Sequence, residues 1–218
     1  MDLTNYAGEP RRLWIEGPAG RLEAVLRTCS PTRGCAVVAH PHPLHGGTLH
    51  NPVVFHADRA LHRDGWTTLR FNFRGVGESD GVHDEGRGEK DDLEAAASWI
   101  RGLAPGLPLL SVGFSFGSWC AVRHALTDKT VAALIAIGLP VRNYAFDELA
   151  RLAQPLAVVQ AEHDEFGAPA EVRELLERSG LPARVEVVAG TTHLFPGRAA
   201  DAGEGVARAA AALVPRSP

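Results

Sequence analysis

The chain reads as an α/β protein, a mostly parallel sheet with helices packed on both faces, and three observations predict it. Strand-like and helix-like segments alternate along all 218 residues. Several strand-like runs, such as Cys35-Ala36-Val37-Val38-Ala39, are apolar without alternation, as befits strands covered on both sides. The run Leu109-Leu110-Ser111-Val112 leads straight into Gly113-Phe114-Ser115-Phe116-Gly117 and then into a helix-forming stretch. No repeat, linker or compositional break interrupts the pattern, so residues 1–218 are expected to form a single domain.

The elements follow in order. Residues 12–16 and 22–26 flank Gly17-Pro18-Ala19-Gly20 and read as an edge hairpin. After the strand at 35–39, Asn51 and Pro52 supply a cap and a first-turn proline for a helix reaching Asp64, with Gly65 as its stop. Residues 66–72 return as a strand. The charged, Gly-rich stretch 80–90 reads as a solvated loop, and 91–100 as a helix with acids in its first turn. Beyond the helix that follows Gly117 come a strand at 131–137, a short helix near 146–152 and a strand at 155–161. Helices near 169–179 and 202–213 flank a last strand at 184–188.

Composition narrows the classes of function. Hydrophobic content of 45% with 22% charged residues suits a water-soluble globular chain. A net charge of −4 with dispersed basic residues argues against nucleic-acid binding. No apolar run is long enough to span a bilayer, and residues 1–6 lack a signal peptide's basic start and apolar core. Cys29, Cys35 and Cys120 fit a reducing compartment better than a disulfide framework, so a cytoplasmic location is expected.

The Gly-x-Ser-x-Gly turn would force Ser115 toward positive φ, costly for a residue with a Cβ, while Gly113 and Gly117 make room for the bend. Asp164 follows the 155–161 strand and His193 follows the 184–188 strand, which gives the order Ser…Asp…His after three separate strands. With His40-Pro41-His42-Pro43-Leu44-His45-Gly46-Gly47-Thr48 and Phe71-Asn72-Phe73-Arg74-Gly75-Val76-Gly77-Glu78-Ser79-Asp80-Gly81, these segments carry a resemblance over almost the whole chain. The chain resembles the α/β-hydrolase superfamily, specifically its small lid-free bacterial serine hydrolases, the dienelactone-hydrolase-like or esterase group. That resemblance implies a mostly parallel eight-stranded sheet without a cap domain, and cleavage of carboxylic esters or thioesters through an acyl-enzyme. Ser115 would be the nucleophile, His193 the general base and Asp164 the residue that orients it. For the oxyanion hole it implies the Phe116 N–H and a second donor after the 35–39 strand. Pro41 and Pro43 have no N–H, which leaves His42 or Leu44; the family's His-Gly-x form favours His42, and the path of the loop slightly favours Leu44.

Other readings compete. His40, His42 and His45 superficially resemble a His-x-His-x-x-His zinc set, so a zinc hydrolase is one alternative, and a non-catalytic binding protein on the same fold is another. No metal or cofactor is implied by the favoured reading. The Arg74-Gly75-Val76-Gly77-Glu78-Ser79 turn is expected to be structural, with Arg74 tying loop carbonyls or a carboxylate. The short connection from Ile137 to Phe146 leaves no room for a lid. An open pocket is therefore expected, lined by Leu44, Phe73, Phe116, Leu139, Phe166 and Leu194, and taking a small ester or acyl substrate rather than nucleic acid or membrane. Free sheet edges near the hairpin or the last strand would allow a homodimer.

Overall fold

The computed structural model describes residues 9–215; the signal-peptide reading of residues 1–6 lies outside them. Strands β1 (Arg11–Gly17) and β2 (Gly20–Arg27) form the antiparallel hairpin, and β3 (Cys35–Ala39), helix α1 (Pro52–Arg63) and β4 (Thr67–Phe71) follow. Then come α2 (Arg87–Arg101), β5 (Leu109–Phe114), α3 (Phe116–Thr127), β6 (Ala133–Ile137), β7 (Leu156–Ala161), α4 (Pro169–Arg178), β8 (Arg184–Val188) and α5 (Ala199–Leu213). They build one eight-stranded sheet in the order β1-β2-β4-β3-β5-β6-β7-β8. β2 runs antiparallel to β1 and β4, and β4 through β8 pair in parallel.

The apolar strands split their side chains between two cores. Cys35, Val37 and Ala39 of β3 join the layer containing α2, α3 and α4, whereas Ala36 and Val38 join the layer containing α1 and α5. This is the period-2 alternation of a strand with both faces covered, and it explains why the sequence shows no polar alternation. Among the described residues no helix is long and apolar enough to cross a membrane.

Three expectations need correction. Helix α2 begins at Arg87, inside the stretch expected to be a solvated loop, because the fully buried Glu89 carboxylate accepts the N–H groups of Gly86 (2.8 Å) and Asp84 (2.9 Å). The helix expected near 146–152 is only a 3-10 turn, Leu149–Arg151. Helix α5 starts at Ala199, three residues before its expected position.

Candidate active site

The sheet's parallel geometry gathers the carboxyl ends of β5, β7 and β8 at one rim, where ligands of open α/β sheets bind. Ser115 is the single residue between β5 and α3, at φ 54° and ψ −120°. The bend needs its glycines. A Cβ on Gly113 would overlap the Gly117 carbonyl, and a Cβ on Gly117 would stand 2.6 Å from the carbonyl oxygens of Ala39 and His40. The turn thus presses the start of α3 against the end of β3.

The three residues singled out by the sequence meet there. Ser115 Oγ lies 2.7 Å from His193 Nε2, and His193 Nδ1 lies 2.9 Å from both carboxylate oxygens of Asp164. Asp164 and His193 are buried. A carboxylate facing Nδ1 requires the proton on that nitrogen, which leaves Nε2 to accept from the Ser115 hydroxyl. Asp164 is itself held: the Phe166 N–H donates to Oδ1 and the Gln160 Nε2 to Oδ2, each at 2.9 Å. Gln160 also donates to the Gly167 carbonyl (2.7 Å) and accepts the Leu139 N–H (2.8 Å), so its amide orientation is fixed by both ends of the network. The sequence reading missed Gln160; the available signal was one amide inside the otherwise apolar β7.

Around Ser115 two backbone donors stand open. Among the described residues no protein acceptor takes the N–H of Phe116 or of His42. The slight preference for Leu44 is corrected: its N–H donates to His42 Nδ1 at 3.2 Å, and its side chain is 70% exposed on the 3-10 turn Pro43–His45. The loop spends its other amides on itself, since His45 and Gly47 both donate to the His42 carbonyl.

A cavity of about 680 Å³ opens over Ser115 and His193, with Phe166 and Leu194 on its wall as expected. Leu44, Phe73, Phe116 and Leu139 are not on that wall. Phe73 and Leu139 are fully buried, and the Phe116 ring packs edge-on against Phe73. Residues directly after a strand still point into the layer beneath it, so the wall comes from positions further along each loop, including His42, His45, Asn143, Tyr144 and Glu165.

The histidine loop is scaffolding at His40. Its Nδ1 donates to the Pro41 carbonyl (2.6 Å) and its Nε2 accepts the Phe73 N–H (3.1 Å), so both ring nitrogens are spent. Complete burial holds its pKa down at about 4, keeping it neutral. Among the described residues no three His, Cys, Asp or Glu side chains are arranged to hold a metal ion, which removes the ligand set of the zinc alternative. Arg74 does tie a carboxylate: its Nε and Nη2 meet Asp92 at 2.9 and 2.7 Å, and its backbone N–H adds a third bond at 3.0 Å. Asn72 bridges buried Glu23 and the Leu49 N–H, which anchors the loop that leads into α1.

With this geometry in view, the class is plain. The alpha/beta hydrolase domain family model matches residues 34–212, and the chain belongs to that family. The chain is similar to a lid-free α/β serine hydrolase from Xanthomonas campestris, at 33% identity and a TM-score of 0.88, covering 98% of this chain and 99% of that one. It is also similar to an alpha-beta serine hydrolase homologue from Coxiella burnetii (35% identity, TM-score 0.85, 93% and 97% covered). An uncharacterized protein of Rickettsia prowazekii is 34% identical over 84% of this chain and 82% of its own length. The fold is that of α/β serine hydrolases without a lid, and it supports hydrolase activity on a small molecule.

Proposed function

We propose that the protein hydrolyses carboxylic esters or thioesters through an acyl-enzyme, with Ser115, His193 and Asp164 as its catalytic triad. The observation that carries this reading is the unbroken chain from Ser115 Oγ through His193 to Asp164, at 2.7 and 2.9 Å. Ser115 Oγ attacks the acyl carbon while its proton passes to His193 Nε2, and Asp164 stabilises the imidazolium that forms. The N–H groups of Phe116 and His42 receive the oxyanion; losing one such donor typically costs about 10²–10³ in turnover. Collapse of the tetrahedral intermediate breaks the bond to the leaving oxygen or sulfur, which takes the proton from His193. Water, deprotonated by the same imidazole, then attacks the acyl-serine, and the bond to Ser115 Oγ breaks as His193 returns the proton to it, releasing the acid. The buried thiols of Cys35 and Cys120, both pushed up by desolvation, support small core roles rather than reactive ones.

A fluorophosphonate probe tests the reading. Labelling of the wild-type chain that disappears in Ser115→Ala, together with turnover of p-nitrophenyl esters, is the expected result. A folded protein that takes no label would favour the binding-protein alternative.

A further inference from the structure

We infer that the pocket selects neutral or cationic acyl groups and rejects anionic acyl groups and phosphate-bearing acyl carriers, through the carboxylate of Glu165. This rests on the hydrolase reading above and narrows its substrate class.

Glu165 lies on the cavity wall beside Phe166, and its Oε2 accepts the His193 N–H at 3.1 Å. That bond, made to the backbone N–H, holds the exposed Glu165 carboxylate beside the main chain of His193 at the cavity rim. Among the described residues no Lys or Arg lines the cavity, and Glu165 is its only lining carboxylate. Two other lining groups, His42 and Tyr144, add no offsetting charge in mildly alkaline solution. Burial, reinforced by His45 and His83, holds His42 below the ordinary imidazole range, and burial pushes the Tyr144 phenol up to about 12. Arg142 carries the adjacent positive charge, but its Nε is paired with Glu171 at 3.0 Å and its Nη1 with the Glu165 carbonyl. Exposed Leu194 and Phe166 complete an apolar rim that favours an uncharged chain. A carboxylate or phosphate entering there meets a like charge and no cation, a combination that selects against a ligand as effectively as added contacts select for one.

The test uses three methyl esters of matched length: dimethyl adipate (neutral), monomethyl adipate (anionic) and methyl 5-(trimethylammonio)pentanoate (cationic). At pH 8 and low salt the cationic ester should exceed the anionic one in kcat/KM by roughly tenfold, as for attraction against repulsion between charges about 8 Å apart at an effective dielectric of about 60. In Glu165→Gln, which keeps an acceptor oxygen for the His193 N–H, that ratio should fall toward unity, and added salt should compress it in the wild type. A butyryl thioester of N-acetylcysteamine should likewise be cleaved faster than that of coenzyme A. An unchanged ratio in Glu165→Gln, or preference for the anionic ester, overturns the inference. Fluorophosphonate labelling of Ser115 without turnover of any of these substrates overturns the substrate class alone. Absence of labelling overturns the hydrolase reading, and this inference with it.

Discussion

Gln160 joins the core to the candidate triad, so replacing it should damage both in ways that can be separated. Its side chain is fully buried and makes one bond to the Asp164 carboxylate, one to the Gly167 carbonyl and one from the Leu139 N–H. Gln160→Leu removes a charge-assisted bond, worth about 1.5–3 kcal/mol, and orphans buried backbone groups at about 1–3 kcal/mol each. With two backbone groups orphaned the expected loss is roughly 3.5–9 kcal/mol, which lowers Tm by about 7–36 °C in a domain of this size. Asp164 keeps the Phe166 N–H, so a hold weakened by about 1–2 kcal/mol should cut kcat by roughly 5–30-fold. KM should barely move, because Gln160 does not line the cavity. Gln160→Glu separates positioning from simple loss of structure. It sets a second carboxylate about where an amide nitrogen now stands, 2.9 Å from Asp164, and two such groups cannot both ionise at ordinary pH. The pair's upper pKa rises, so at ordinary pH one proton is shared and Asp164 carries less charge toward His193; full activity then requires loss of that proton, and the acid limb of the kcat profile should shift to higher pH. Calorimetry and pH–rate profiles on purified variants would decide it. Wild-type Tm and kcat in Gln160→Leu, or an unmoved acid limb in Gln160→Glu, would refute the reasoning.

Ser115→Gly should abolish hydrolysis yet raise Tm, because φ 54° and ψ −120° cost a residue with a Cβ about 1–3 kcal/mol, of which glycine's added backbone entropy takes back part; no gain in Tm would count against strain at the turn. Asp92→Ala should cost about 3–5 kcal/mol in urea unfolding, because it strands the largely buried Arg74 guanidinium without its three-bond partner. Asp92's own pKa is raised, since burial outweighs the pairing, while Arg74's is raised by that same carboxylate; the geometry makes the ion pair the native state. His40 gives a pH signature. Its folded pKa, about 4, lies below the unfolded value, so the unfolded chain binds the proton first. Its contribution is intact above about pH 6.5 and is lost on acidification toward pH 4, by about 3 kcal/mol at most. NMR should show the His40 ring neutral at pH 5 while exposed histidines titrate; titration of His40 near pH 6.5 would exclude the buried, doubly bonded ring.

The fold was legible because parallel strands covered on both sides leave an unusual mark, and β3 and β8 were placed to the residue. The three triad candidates were legible for a related reason: each follows a recognisable strand, and the Gly-x-Ser-x-Gly spacing is a backbone requirement visible as two missing side chains. What stayed hidden depends on directions that sequence does not carry. Phe73 and Leu139 look like lining because they follow strand ends, yet the pleat turns them inward. Leu44 was open as a donor until the His42 ring was seen to turn back on its N–H. The start of α2 was missed because the charges of 80–90 suggested solvent, whereas Glu89 is buried as the helix's own cap.

The strain at Ser115 can persist only because its surroundings leave the backbone no alternative. Its N–H donates to the Ile137 carbonyl at 2.8 Å, which ties the turn to the end of β6. Its carbonyl accepts from the Ser118 and Trp119 N–H groups and, at 2.6 Å, from the Ser118 hydroxyl. Gly113 and Gly117 then bring the turn against β3, whose next loop holds His40 rigidly and leaves the His42 N–H open. One set of close backbone contacts therefore fixes the candidate nucleophile relative to both proposed oxyanion donors, without help from a lid. Wall residues such as Asn143 and Leu194 can vary without touching those contacts. In such an architecture chemistry and specificity reside on different residues, which is why a single carboxylate at Glu165 can set substrate charge while the Ser115–His193–Asp164 chain stays intact.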